Sequence, residues 1–285
     1  MIEIKSKDSG DVLFSVDADT LMHGDFRAVN LSGADLNGAD LRHADFSMAD
    51  LSEADLSNAQ LQFSNFANAK MTDVNLLGAD LSRAVFSTGR ASGAATMSHA
   101  NLRQAVLLGS DLDFVNLQNS NFKDADLSYA SFRSADLSSS DFTEADLCEA
   151  SFIHANLSNS NLTDTDLCGA HFNNADLSNA ILDNAEFSGE ETQKPAIFTL
   201  AKLENASMVG AHMAGAILKK SNLTQTDMRN ANLTNAVLNG AMLRNANVQG
   251  ADFSGVALGT VSLQFSNFSK AKNAEIPEHK KNNLR

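Results

Sequence analysis

From Phe26 onward an apolar residue recurs at every fifth position: Phe26, Leu31, Leu36, Leu41, Phe46, Leu51 and on to Phe86. We call each one a centre. Two residues before a centre stands a small residue, usually alanine, as at Ala34, Ala39, Ala44, Ala49 and Ala54. The residue between is often Asp or Asn, and the two after the centre are polar and variable. This period suits neither a helix nor a strand. Wound as a helix, the centres would face all sides. Laid out as a strand, successive centres would face opposite ways. A right-angled turn at every repeat points each centre and each small residue at one axis. The small residue is needed because larger side chains would overpack the crowded axis.

Ala34-Asp35-Leu36-Asn37-Gly38 and Ala175-Asp176-Leu177-Ser178-Asn179 show the unit in full. The chain resembles the pentapeptide-repeat family, whose motif is A(D/N)LXX, over residues 19–270. The resemblance implies an all-β fold, a right-handed quadrilateral parallel β-helix with four repeats per coil. The repeats then make about twelve coils stacked into a solenoid. At about 4.8 Å per coil, a rod of roughly 55–60 Å is expected.

The register breaks twice. Centres run from Phe26 to Phe86, from Met97 to Phe187 and from Phe198 to Phe268, with eleven residues across each break. With four repeats per coil, every twentieth residue stacks, so Phe26, Phe46, Phe66 and Phe86 form a column. Six-residue insertions continue that column through Leu112, Phe132, Phe152, Phe172 and Phe198, whereas one-residue insertions destroy it. Two six-residue loops are therefore expected, near 89–94 and 190–195, flanking the side that carries the column. Residues 1–18 read as a β-hairpin-like cap, with Ile2-Glu3-Ile4 and Val12-Leu13-Phe14 around a polar turn. Residues 271–285 read as a polar tail without an apolar face. The last coil is then left open, and end-to-end homodimerisation through it is expected.

The net charge of -14 disfavours direct nucleic-acid binding, which needs Lys and Arg to neutralise phosphates. No apolar run is long enough for a membrane-spanning helix, and the N-terminus has no signal-peptide core, so a cytoplasmic location without membrane contact is expected. Cys148 and Cys168 stand one coil apart, as a stacked thiol pair in a column with Ser128 and Ser188. The spacing allows a disulfide, but two thiolates fall short of the four ligands of structural zinc. Asp126, Asp146, Asp166 and Glu186 form an acidic column on the same side. Stacked carboxylates repel by about 0.8 kcal/mol per neighbouring pair in water, a cost the fold must tolerate. His23 and His43 also stack, too sparse a set for a metal. No phosphate loop or nucleophile elbow is present. No catalytic residue, metal or cofactor is expected.

A non-catalytic scaffold is the expected function, with the acidic column and the loop residues Arg90, Glu190 and Glu191 as the candidate surface for an unknown protein partner. The resemblance also implies an alternative, since some family members mimic duplex DNA and protect DNA gyrase. The expected rod carries about one charge per 4 Å, against about one per 1.7 Å for the duplex. A third alternative is a rod that self-assembles through unpaired coil edges.

Overall fold

A computed structural model describes residues 1–188 and 194–285. The chain forms two compact units, Met1–Asp141 and Phe142–Arg285. In each, parallel bridges join residues twenty apart, such as Asp25 to Asp45 to Asn65 in the first unit and Asp146 to Asp166 to Glu186 in the second. Four repeats therefore make one coil. The centres and small residues of both units are almost all fully buried.

The backbone hydrogen bonds explain why the repeat has five positions. At one corner of the first unit the Ala44 amide donates to the Leu41 carbonyl at 3.1 Å, closing a four-residue turn. The Phe46 and Met48 amides donate to the following coil at 2.7 and 2.9 Å, and the Asp45 amide donates back to Gly24 at 2.9 Å. Only the Ser47 amide lacks a backbone acceptor, and the Asp45 Oδ1 takes it at 2.9 Å. The Asp or Asn before each centre is thus a backbone cap two residues long, an Asx turn. Every amide of the repeat is then satisfied, as a buried backbone requires.

The third residue of nearly every described turn lies in the left-handed region, as type II turns demand of that position. His43 (φ 59°), Phe63 (61°), Arg83 (57°) and Tyr129 (60°) all do so without being glycine. Where serine or threonine replaces the small residue, its hydroxyl donates to a turn carbonyl. Ser110 reaches Leu107 at 2.7 Å and Thr165 reaches Leu162 at 2.8 Å, so neither buried hydroxyl is left unpaired.

Across the first break the bridge spacing widens from twenty to twenty-six, as between Lys70 and Thr96, and then returns to twenty. The Ala95 amide donates to the Phe86 carbonyl at 2.8 Å, the bond that closes an ordinary turn, with six extra residues looped out. A short 3-10 turn, Ala91–Gly93, sits in that loop. A Cβ at Gly93 would meet the Thr88 hydroxyl at 1.8 Å, so only glycine fits. Ala196 repeats the bond to Phe187 at the second break, at 2.9 Å. Residues 189–193 of that loop, including Glu190 and Glu191, lie outside the described residues. In the first unit the Phe26, Phe46, Phe66 and Phe86 rings stack at 4.8–5.2 Å. In the second, Phe152, Phe172 and Phe198 stack at 4.8 and 4.5 Å, across the second loop.

Both ends of the chain are covered. Strands β1 (Ile2–Ser6) and β2 (Val12–Val16) form an antiparallel hairpin. β1 also pairs with β3 (Ala34–Asp35), in the sheet order β2-β1-β3. Phe14 packs edge-on over Phe26, the first ring of the column, at 6.0 Å. The C-terminal expectation needs correcting, because the last coil is not open. A short helix, α1 (Glu278–Lys281), folds the tail back over it. Lys280 Nζ donates to the carbonyls of Leu258, Gly259 and Val261 at 2.9, 2.6 and 2.7 Å. The Phe265 amide donates to Asn283 at 2.6 Å and the Arg285 amide to Ser266 at 3.0 Å. Backbone groups with no further coil to pair with are satisfied by the tail, so the surface expected to dimerise is occupied.

Candidate functional site

The thiol pair and most of the acidic column come together in the second unit. Asp146, Asp166, Glu186 and His212 are successive rungs of one bridge ladder. Asp146 Oδ1 accepts from the Cys148 amide at 2.9 Å and Asp166 Oδ1 from the Cys168 amide at 3.0 Å. Glu186 Oε1 accepts from the Ser188 amide at 2.9 Å. The ladder continues through His212, whose Nδ1 lies 3.4 Å from Glu186 Oε2. These carboxylates are held as Asx-type caps, which is a structural use. Asp126 plays the same part in the first unit, accepting from the Ser128 amide at 3.0 Å. Arg90 is exposed in the first loop, which belongs to the first unit.

Cys148 is half-buried, Cys168 is buried, and no disulfide joins them. Their sulfurs and an Asp166 carboxylate oxygen lie within 4.8 Å of one another. Burial pushes the Cys148 thiol well above the usual range, helped by the Cys168 sulfur and the Asp146 and Asp166 carboxylates. Burial also raises the Cys168 thiol, against a lowering hydrogen bond from Cys148. Both are therefore neutral near pH 7. Reactive cysteines need the reverse, an electropositive setting that stabilises the thiolate. The donor set of two sulfurs and one carboxylate is one short of a tetrahedral zinc site, and its sulfurs resist deprotonation.

Next to the pair, Glu149 leans over Gly169, where a Cβ would meet the Glu149 carboxyl carbon at 2.8 Å. Lys194 reaches that carboxylate at 3.3 Å. A partly exposed ion pair thereby holds Lys194 against Glu149, next to the thiols.

A second constellation lies on a corner of the first unit, where the sequence pattern within one repeat shows only variable residues. His23 and His43 stack at 4.8 Å with an interplanar angle of 11°, and His43 stacks on Phe63 at 4.9 Å and 4°. The two histidines pack face to face as ladder rungs rather than converging on a cation. The same turn position holds Arg83, Gly109 and Tyr129 in the next three coils. Phe63 is 51% exposed and Tyr129 65%, so these rings are outside the core. Arg83, Leu108, Gly109 and Tyr129 line a cleft of about 290 Å³. The sequence signal is the turn position read at coil spacing, every twentieth residue, instead of along the repeat.

The family model for pentapeptide repeats matches residues 25–58, 49–87, 94–128, 125–164, 160–189, 196–235 and 221–258. No curated protein matches the sequence. Among solved structures, the chain is similar to HetL, a pentapeptide repeat protein involved in heterocyst differentiation regulation in the cyanobacterium Nostoc sp. strain PCC 7120. That pair is 25% identical over 75% of this chain and 87% of the other, with a TM-score of 0.39. Rfr23 from the cyanobacterium Cyanothece 51142 is 31% identical over 35% of this chain and 60% of its own, at a TM-score of 0.29. QnrB1, a plasmid-mediated fluoroquinolone resistance protein, is 14% identical over 76% and 92%, at 0.27.

Proposed function

The chain belongs to the pentapeptide repeat family, whose members fold as right-handed quadrilateral β-helices, and from that premise we propose that it is a non-catalytic scaffold that presents its outer ladders to a protein partner. The observation that carries this reading is how the motif residues are used. The centre and the small residue fill the core, and the Asp or Asn caps the backbone. Variation is left to the two outward positions, which form ladders at coil spacing and, among the described residues, place no activated nucleophile or base. The neutral thiols beside Asp166 agree with this, because they are the strongest nucleophile candidates and are held in the unreactive form.

The net charge of -14 favours a basic surface on that partner. It also motivates the second reading, a DNA mimic acting on gyrase. Against that reading, several carboxylates are paired locally, as in Arg27–Asp25 at 2.6 Å, Arg42–Asp40 at 2.8 Å and Lys202–Asp176 at 3.1 Å. Capture of partners from the native host on the immobilised chain, with cross-linking to map the contact, tests the scaffold. Enrichment of nothing beyond a surface-scrambled control would count against it. Loss of quinolone inhibition in a gyrase supercoiling assay would move the assignment to the second reading.

A further inference from the structure

One rung of the corner ladder in the first unit carries no side chain. From His23 to Phe63 each coil places a planar side chain on the one below, at 4.8–4.9 Å and within 11° of parallel. Arg83, with its planar guanidinium, holds the next turn position, and Tyr129 holds the position two coils further on. Between them stands Gly109, which has no side chain. The backbone is not interrupted there. The Arg83 amide donates to Leu108 at 3.0 Å and the Gly109 amide to Ser128 at 2.9 Å. Gly109 has the same left-handed φ, 62°, as Phe63, Arg83 and Tyr129. The turn itself therefore does not require glycine. A Cβ placed on Gly109 would find only the Arg83 Cγ, at 4.0 Å. What the glycine creates is a vacant rung.

Two coil steps separate the walls, about 9.6 Å, which leaves roughly 6 Å once half a ring thickness is taken from each side. One flat ring fits that gap, at the same spacing as the rings below it. The floor is Leu108, 39% exposed and apolar. Arg83 offers a guanidinium face, the cation that stacks best on aromatic rings, and Tyr129 offers an aromatic one. We propose that the Gly109 cleft is a docking slot for one aromatic side chain from a basic segment of a protein partner, inserted between Arg83 and Tyr129 to complete the ladder.

Charge selects this occupant. Asp80 and Asp126 pair in the ladder on either side of Val106, just before the corner, and Asp111 follows it two residues after Gly109. These carboxylates and the net charge of -14 favour lysines or arginines beside the inserted ring. A nucleobase would bring phosphates to a protein of net charge -14. A second copy of this chain would bring the same net charge. The proposal rests on the scaffold reading and adds to it the place and the chemistry of the contact.

The protein has no tryptophan, so indole fluorescence excited beyond tyrosine absorption reports a tryptophan peptide alone. The probe is acetyl-Lys-Trp-Lys-amide titrated with the full chain, with the Lys-Leu-Lys and Glu-Trp-Glu analogues as competitors. Saturable binding with a blue shift is expected. Gly109→Phe fills the slot with the protein's own ring and should weaken binding at least about tenfold, the combined effect of a lost ring stack and a lost cation–π contact. Gly109→Ala leaves the slot open and should change affinity less than about twofold. Should Gly109→Phe not melt cooperatively, Arg83→Ser and Tyr129→Ser each remove one wall, with serine already adopting this φ at Ser134 and Ser139. Both should weaken the peptide. No saturable binding, equal binding by Gly109→Phe, or equal competition by Lys-Leu-Lys overturns the slot. Equal competition by Glu-Trp-Glu overturns the basic partner. A host protein captured equally by the wild type and by Gly109→Phe also overturns the slot, while leaving the scaffold reading standing.

Discussion

Replacing Lys280 by methionine keeps the length of the side chain and removes its donors. In the native protein that ammonium serves three carbonyls of the last coil, Leu258, Gly259 and Val261, at 2.6–2.9 Å. A hydrogen bond from a charged group is worth about 1.5–3 kcal/mol net, and three would sum higher, but part of this site faces solvent. We therefore expect the tail to become easier to detach by about 2–4 kcal/mol. Helix α1 has only four residues and cannot stand alone once released. The Phe265 amide, bonded to Asn283 in the tail, reads the event directly. Its hydrogen-exchange rate should rise about 30-fold to 1000-fold, the equivalent of that free energy. Amides in the first unit, such as Phe46, should be unchanged, because solenoid coupling runs between neighbours. Light scattering should also show concentration-dependent association, as a bared edge pairs with another. Unaltered exchange at Phe265 would refute the claim that Lys280 closes this end.

In the core, Phe46→Ala should cost about 3–5 kcal/mol in urea denaturation, while Phe46→Leu should cost less than about 1.5 kcal/mol, since Leu112 occupies the same column. Asp126→Ala should cost about 1 kcal/mol by the same measurement, because it strips the acceptor from the Ser128 amide, and Asp126→Asn should cost little. If the asparagine variant is as weak as the alanine one, charge rather than capping is at work there. Iodoacetamide at pH 8 should alkylate Cys148 and Cys168 at least about tenfold more slowly than free cysteine, as both thiols are raised. Acid should destabilise the fold. The guanidinium of Arg27 holds Asp25 at about 2, and Asp40 and Asp176 are lowered by Arg42 and by Ser178 with Lys202, against the penalty of burial. Carboxyls lower in the folded state than in the unfolded one stabilise above about pH 4 and lose that stabilisation as pH falls towards 2. Burial raises Asp111, which works the other way and softens the decline. The urea midpoint measured from pH 7 to pH 2 should be flat above about pH 5 and drop below about pH 4.

Features tied to the five-residue period were readable because each repeat states them again. The inward pair is set by steric crowding at the axis, and the Phe column fixes loop length because the stack survives only with six extra residues. The observed ring pair Phe172–Phe198, at 4.5 Å across the second loop, follows from that constraint. The closure at Lys280 was not readable in the same way. A lysine in a polar tail looks solvated until the unpaired carbonyls of the last coil are in place to receive it. The thiols were half readable. Spacing put Cys148 and Cys168 together, but their protonation depends on burial and on the nearby carboxylates of Asp166, Glu149 and Asp146, which side-chain packing sets.

The corner ladder shows why function is the harder part to read. Stability in this fold comes from positions that must recur every five residues, so selection for the fold makes them conspicuous. The turn position accepts histidine, phenylalanine, arginine, glycine or tyrosine at nearly the same φ, 57–62° here. It therefore appears random along the chain. Its order exists only between coils, at a spacing of twenty or twenty-six residues. Gly109 is unremarkable in its own repeat and acquires meaning from Arg83 below and Tyr129 above. In a solenoid the recognition surface is written across the repeats, and a missing rung can specify a partner as sharply as a charged one.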